Sequence, residues 1–137
     1  MRIYTDGVFD MFHRGHLECF KTIKTKYPDC TLVVGVVNDK DTESYKRLPI
    51  INENDRLEII KSIKYIDEVV FPAPLYITEE HINKHKLDLI VHGFANQNDI
   101  NKQKEFFRVP IELNKFQEIP YYSKISTTDI INKVKDL

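Results

Sequence analysis

The residues that could do chemistry gather in one short run, Gly7-Val8-Phe9-Asp10-Met11-Phe12-His13-Arg14-Gly15-His16. Two histidines stand three apart around a glycine. An imidazole donates one hydrogen bond when neutral and two, with a charge, when protonated. Two such rings facing one point suit a phosphate oxygen. Gly15 has no side chain, so a phosphate could approach its backbone closely. A helix opening here would aim free N–H groups and the positive end of its dipole at the same place. A zinc site would need more ligands, and the chain supplies no convincing third one.

For the two rings to converge, the run must join a strand to a helix. Arg2–Thr5 reads as that strand, and Gly15–Lys26 as the helix, with Leu17, Phe20 and Ile23 on one face. Thr31–Val37 is a continuous β-branched run, as a strand buried on both faces requires. A polar loop is expected over Asn38–Pro49. Asn52 caps a helix of about Glu53–Lys64, and Glu68–Phe71 forms a third strand. Pro72-Ala73-Pro74 breaks the chain before a helix capped by Thr78. Leu87–Val91 reads as a fourth strand. A polar stretch from His92 to Asn101 leads to a helix near Lys102–Phe107, then a fifth strand at Ile111–Lys115. Ser126 caps a last helix carrying Ile130, Ile131 and Val134. This alternation predicts a single α/β domain over residues 1–137, a parallel sheet of about five strands with helices on both faces. In such sheets ligands sit beyond the carboxyl ends of the strands.

Composition narrows the partners. The chain has 137 residues, 42% hydrophobic and 30% charged, which are the proportions of a folded globule. Its 20 basic and 21 acidic side chains leave a net charge of -1, without the basic excess of a duplex nucleic-acid binder. The longest apolar run is too short to span a bilayer. Met1 runs straight into patterned sequence, so no signal peptide is expected, and Cys19 and Cys30 read as reduced core thiols of a cytoplasmic protein, with a lone disulfide between them as the alternative.

GVFDMFHRGH resembles the signature of nucleotidyltransferases of the HxGH type. Within them it is most similar to the cytidylyltransferases acting on phosphocholine, phosphoethanolamine and glycerol 3-phosphate. NENDR at Asn52–Arg56 resembles the family's helix opening, and YIDEVV at Tyr65–Val70 its third strand. Ile125-Ser126-Thr127-Thr128-Asp129 resembles the latter half of its RTEGISTTD motif. The resemblance implies transfer of CMP from CTP to a phosphorylated amino alcohol, with release of pyrophosphate. It also implies a Rossmann-like fold, a magnesium ion accompanying CTP, and a homodimer. An adenylyltransferase of the same superfamily and a non-catalytic nucleotide-binding relative remain open beside it.

The same resemblance distributes roles. His13 and His16 contact the phosphates, and Lys46 matches the catalytic lysine that bridges both substrates. Gly7, Val8, Phe9, His92, Gly93, Ile125, Ser126 and Thr127 match nucleotide-binding positions. Asp39, just past the second strand, suits a ribose or base contact, or is a plain turn aspartate. Arg56 resembles an arginine at the subunit contact near the site, with a surface helix arginine as its alternative. Asp6 matches the aspartate of the choline and ethanolamine enzymes, where a carboxylate attracts an ammonium headgroup. Choline enzymes carry a tryptophan after the Ala-Pro of the third-strand loop. This chain has no tryptophan, and Tyr76 could offer a ring one position later. His92-Gly93 resembles the ethanolamine enzymes. The family arginine before the last helix, normally a phosphate ligand, aligns with Tyr121, and the family glycine with Lys124.

Overall fold

The computed structural model describes every residue from Met1 to Leu137. Its strands are β1 (Arg2–Gly7), β2 (Thr31–Val36), β3 (Glu68–Val70), β4 (Leu89–His92) and β5 (Phe116–Glu118). They lie in the order β3-β2-β1-β4-β5, every pair parallel. The helices are α1 (Arg14–Lys26), α2 (Asp39–Tyr45), α3 (Glu53–Lys61), α4 (Glu79–Lys84), α5 (Gln97–Gln103), α6 (Arg108–Glu112) and α7 (Thr127–Lys135), with one 3-10 turn at Lys104–Phe107. The α/β class expected from the alternation, and the Rossmann-like fold implied by the family resemblance, are what the chain adopts.

Side chains alternate between the two faces of a strand, so the sheet has two cores. Ile3, Leu32 and Val34 join Phe20 and Ile23 of α1 and Ile60 of α3 on one face. Tyr4, Val33 and Ile90 join Ile82 of α4 and Phe106 and Phe107 on the other. Because both faces are covered, β2 is buried at every residue after Thr31. Gly35 is required there, since a Cβ would collide with the Tyr4 hydroxyl and stand 2.8 Å from Ala73 Cβ. At the amino ends of the strands, Lys24 pairs with Asp67 at 2.7 Å, and the Asp67 carboxylate accepts the Leu32 N–H. At the carboxyl ends the strand order turns between β1 and β4, which opens a crevice.

Several elements differ from the expectations. The loop expected over Asn38–Pro49 contains α2, because the Asn38 side chain accepts the Asp41 N–H and caps a helix. Asp39 and Asp41 in its first turn favour the dipole. The Asn52-capped helix stops at Lys61 rather than Lys64. The expected helix near Lys102–Phe107 starts earlier, at Gln97, where Asn96 caps it. The strand expected at Ile111–Lys115 is instead the end of α6 and a turn. Asn114 takes φ 55°, a left-handed conformation that stops the helix and turns the chain into β5. The alternation Ile-Glu-Leu-Asn-Lys imitates a strand, yet Ile111 is exposed.

Candidate active site

The loop from β1 to α1 is wound tightly. Phe9 and Met11 take φ 56° and 46°, a region costly for residues with a Cβ, so the loop is held by its surroundings. The Phe9 ring folds back over Gly7, where any Cβ would lie 2.9 Å from it. The Asp10 carboxylate accepts the Ile50 and Ile51 N–H groups at 2.8 and 2.9 Å. That pins the segment after Lys46 to the histidine loop. The Asp10 carbonyl accepts a bond from Thr127 Oγ1 at 3.2 Å, which ties the start of α7 to the same loop.

His13 is the N-cap of α1. Its Nδ1 accepts the Gly15 N–H at 3.0 Å, and the His16 Nδ1 accepts the His13 N–H at 3.1 Å. Each ring therefore accepts at Nδ1, which leaves the proton of the neutral imidazole on Nε2. The rings stack with centroids 3.9 Å apart, and both line one cavity of about 590 Å³. The His13 Nε2 lies 3.4 Å from Thr127 Oγ1. The amide end of α1 is less available than the sequence suggests, since the Gly15 and His16 N–H groups are taken by His13. The open amides belong to α7, where Thr127 and Thr128 N–H have no protein partner. Gly15 serves a close approach different from the expected one. A Cβ on it would stand 2.7 Å from the His13 ring and 3.3 Å from the Ile125 carbonyl, so the starts of α1 and α7 could not meet.

Burial decides the charges. It lowers the His16 pKa to about 3, helped by His13 and Lys46 nearby. Burial likewise lowers His92 to about 4 and holds His13 below the usual histidine value. The imidazolium charge expected at His13 and His16 is thus absent near neutral pH in the free protein. Asp6 is pushed up to about 7 by burial, so it is about half protonated there. Loss of surrounding water lowers Lys46 below the ordinary lysine value, against the pull of Asp99.

The fold brings together most of the residues singled out from sequence. Asp6, Gly7, Val8, Phe9, His13 and His16 line the cavity from the β1 side. Lys46 lines it from the loop after α2, His92 and Gly93 from the end of β4, and Ser126 and Thr127 from α7. Ile125 stands just behind, its carbonyl against Gly15. Gly93 lets the segment at Ile119 pass, since a Cβ would be 3.1 Å from that carbonyl.

Three residues are placed elsewhere. Asp39 does not face the cavity, because its carboxylate pairs with Arg56 at 2.6 Å and accepts the Glu53 N–H. Arg56 is neither a surface nor a subunit-contact arginine. It is 1% exposed and donates to the carbonyls of Val8, Val37 and Ile51 as well as to Asp39. It ties the ends of β1 and β2 together. Tyr76 is 59% exposed and lies edge-on to Phe106, outside the cavity. Sequence reasoning assigned no role to Asp10 or Asp99. Asp10 was signalled by its place in the Gly-x-Phe-Asp run, whereas Asp99, a cavity residue, sits in a stretch with no recognisable pattern.

Parallel strands, a turn in strand order and paired imidazoles over a helix start define an α/β domain with an HxGH loop at its crevice. The chain belongs to the cytidylyltransferase-like family, whose model matches residues 4–133. It is 38% identical over 140 residues to choline-phosphate cytidylyltransferase of Saccharomyces cerevisiae, covering 98% of this chain and 31% of that protein. It is 34% identical to ethanolamine-phosphate cytidylyltransferase of Arabidopsis thaliana, covering 96% of this chain and 32% of that protein. The chain therefore spans about a third of the length of these relatives. Among solved structures, a lipopolysaccharide core biosynthesis protein from Thermoplasma volcanium superposes with a TM-score of 0.66 at 26% identity, covering 90% of this chain and 98% of that one.

Proposed function

We propose that the chain transfers CMP from CTP to a phosphorylated amino alcohol and releases pyrophosphate. The observation that carries this reading is the stacked His13–His16 pair, lining one cavity with Lys46 and the open amides of α7. An oxygen of the acceptor's phosphate attacks the α-phosphorus of CTP. The bond from that phosphorus to the bridging oxygen breaks, and its electrons leave with pyrophosphate. No covalent enzyme intermediate is needed, so the protein acts by positioning and by stabilising charge. His13 and His16 donate from Nε2 to the reacting phosphate. Lys46 spans the phosphates of both substrates. Ser126, Thr127 and the α7 amides hold the triphosphate. The backbone of Gly7-Val8-Phe9, with His92 and Gly93, holds the nucleoside.

No group of three or more His, Cys, Asp or Glu side chains is placed to hold a metal, and both Asp10 oxygens are already bonded. Magnesium thus enters with the triphosphate as part of the substrate, as its preference for phosphate oxygens and water allows. Asp6 meets the acceptor's ammonium group. Phosphoethanolamine suits it best, because a primary ammonium donates N–H bonds to a carboxylate. A quaternary headgroup favours ring faces, and Tyr76 lies outside the cavity. Phosphocholine is the second reading, supported by the higher identity of the choline relatives. The family resemblance also supports a homodimer, which sedimentation would test. No helix is long and apolar enough to cross a membrane.

Pyrophosphate release, assayed with CTP or ATP against phosphoethanolamine, phosphocholine and glycerol 3-phosphate, tests the whole reading. Turnover with CTP and phosphoethanolamine is expected. A preference for ATP would make the chain an adenylyltransferase, and nucleotide binding without turnover would make it a binding relative.

A further inference from the structure

The charge lining the cavity is poorly matched to its ligand. Lys46, Arg47 and Lys102 are its only fixed cations, against the carboxylates of Asp10, Glu18 and Asp99 and the half-protonated Asp6. The histidines add little, since burial keeps them neutral. A nucleoside triphosphate brings several negative charges into this space. One further cation lies beside the cavity without lining it, in contact with two residues that do. Arg14 occupies the position between His13 and Gly15, and its guanidinium lies over the Tyr122 ring, 5.6 Å from the centroid. Its Nε donates to Glu18 at 3.3 Å. Tyr122 and Glu18 both line the cavity, so Arg14 is held between two wall residues. Only Nε is engaged. The two terminal amino groups have no protein partner, whereas both of those of Arg56 are bonded.

We infer that Arg14 is a nucleotide-binding residue that contacts the distal phosphates of the triphosphate. A guanidinium fork matches two phosphate oxygens, and stacking on an aromatic face fixes its plane in advance. The open amides of Thr127 and Thr128 begin α7 a few residues after Tyr122, on the same side of the cavity. A nucleotide tail held by those amides lies where the start of α7 packs on the start of α1, next to Arg14. Tyr122 is the positioning residue that holds it. The inference rests on the triphosphate occupying this cavity, as proposed above. It adds the contact that selects a triphosphate over a monophosphate.

Calorimetric titration of the full chain with magnesium and CTP, ATP or CMP tests it. The wild-type chain is expected to bind CTP more tightly than CMP. Arg14→Gln should weaken CTP at least about tenfold while leaving CMP within twofold. Arg14→Lys should recover only part of the loss. Tyr122→Leu should weaken CTP about threefold or more, and Tyr122→Phe should not. A merely structural Arg14 would leave the CTP-to-CMP ratio untouched. Equal weakening of both nucleotides, or CTP affinity within twofold of wild type in Arg14→Gln, overturns the inference. If ATP binds and CTP does not, the nucleobase assignment falls, while the same ratio read with ATP and AMP still decides Arg14. If no triphosphate binds the wild-type chain, both readings fall.

Discussion

Each imidazole of the His13–His16 pair is oriented by a backbone N–H at Nδ1, so its Nε2 edge is fixed before any ligand arrives. That preorganisation is what a phosphoryl-type transition state rewards. Changing His16 to Ala removes one donor and is expected to lower turnover about a thousandfold with little change in the circular dichroism spectrum. Steady-state kinetics at saturating CTP would read it, and an unimpaired variant would place the chemistry elsewhere. Asp6 gives a test through pH. Its ordinary value of 3.8 rises to about 7 in the fold, so the folded protein holds a proton that the unfolded chain releases. The associated stability is complete below about pH 4 and fades as pH rises through 7. His16 and His92 act in the opposite sense, since their lowered values remove stability as pH falls below 6.5. Asp6→Asn keeps those histidines and lacks the carboxylate. It should therefore gain up to a few kcal/mol over wild type at pH 8, and much less at pH 5. Melting curves at the two pH values are the measurement, and an equal shift at both would show that Asp6 is not desolvated.

Between residue and fold, the loops are bound to one another rather than merely hung on the sheet. Asp10 joins the histidine loop to the segment after Lys46, and Arg56 joins both strand ends to Asp39 of α2. Asp10→Ala frees the Ile50 and Ile51 amides. Their hydrogen exchange should speed up, and turnover should fall between about ten- and a hundredfold as Lys46 loses its placement. Unchanged protection at Ile50 and Ile51 would refute the link. The same elements show what the sequence can disclose. The apolar run of β2 and the Asn52 and Ser126 caps are local signals, and they were readable. The histidine pair was readable because its spacing carries its geometry. Asp39 was misread, since its partner Arg56 lies 17 residues away and only tertiary packing brings them together. β5 was misplaced because alternation of apolar residues is ambiguous over five positions, and the left-handed turn at Asn114 leaves little trace in composition. Asp99 could not be found at all, for its role comes from the cavity that others build.

Across the whole molecule, the cavity draws on residues from Thr5 to Thr128, so it exists only when nearly the entire chain is in place. The bond from Thr127 to the Asp10 carbonyl closes a separation of 117 residues. Yet α7 contributes no fully buried side chain, and Val134 is well exposed. Among the elements lining the cavity it shares that weak seating with α5. A ligand held by its first turn stabilises it by mass action, in proportion to how far the nucleotide exceeds its dissociation constant. Amide exchange in α7 should slow on adding CTP, while β1 and β2, already buried, should change little. Uniform slowing across the sheet, or none in α7, would contradict this. The final helix would then act as a latch whose grip is set by nucleotide supply, so that protease resistance at this end of the chain reports how much CTP surrounds it.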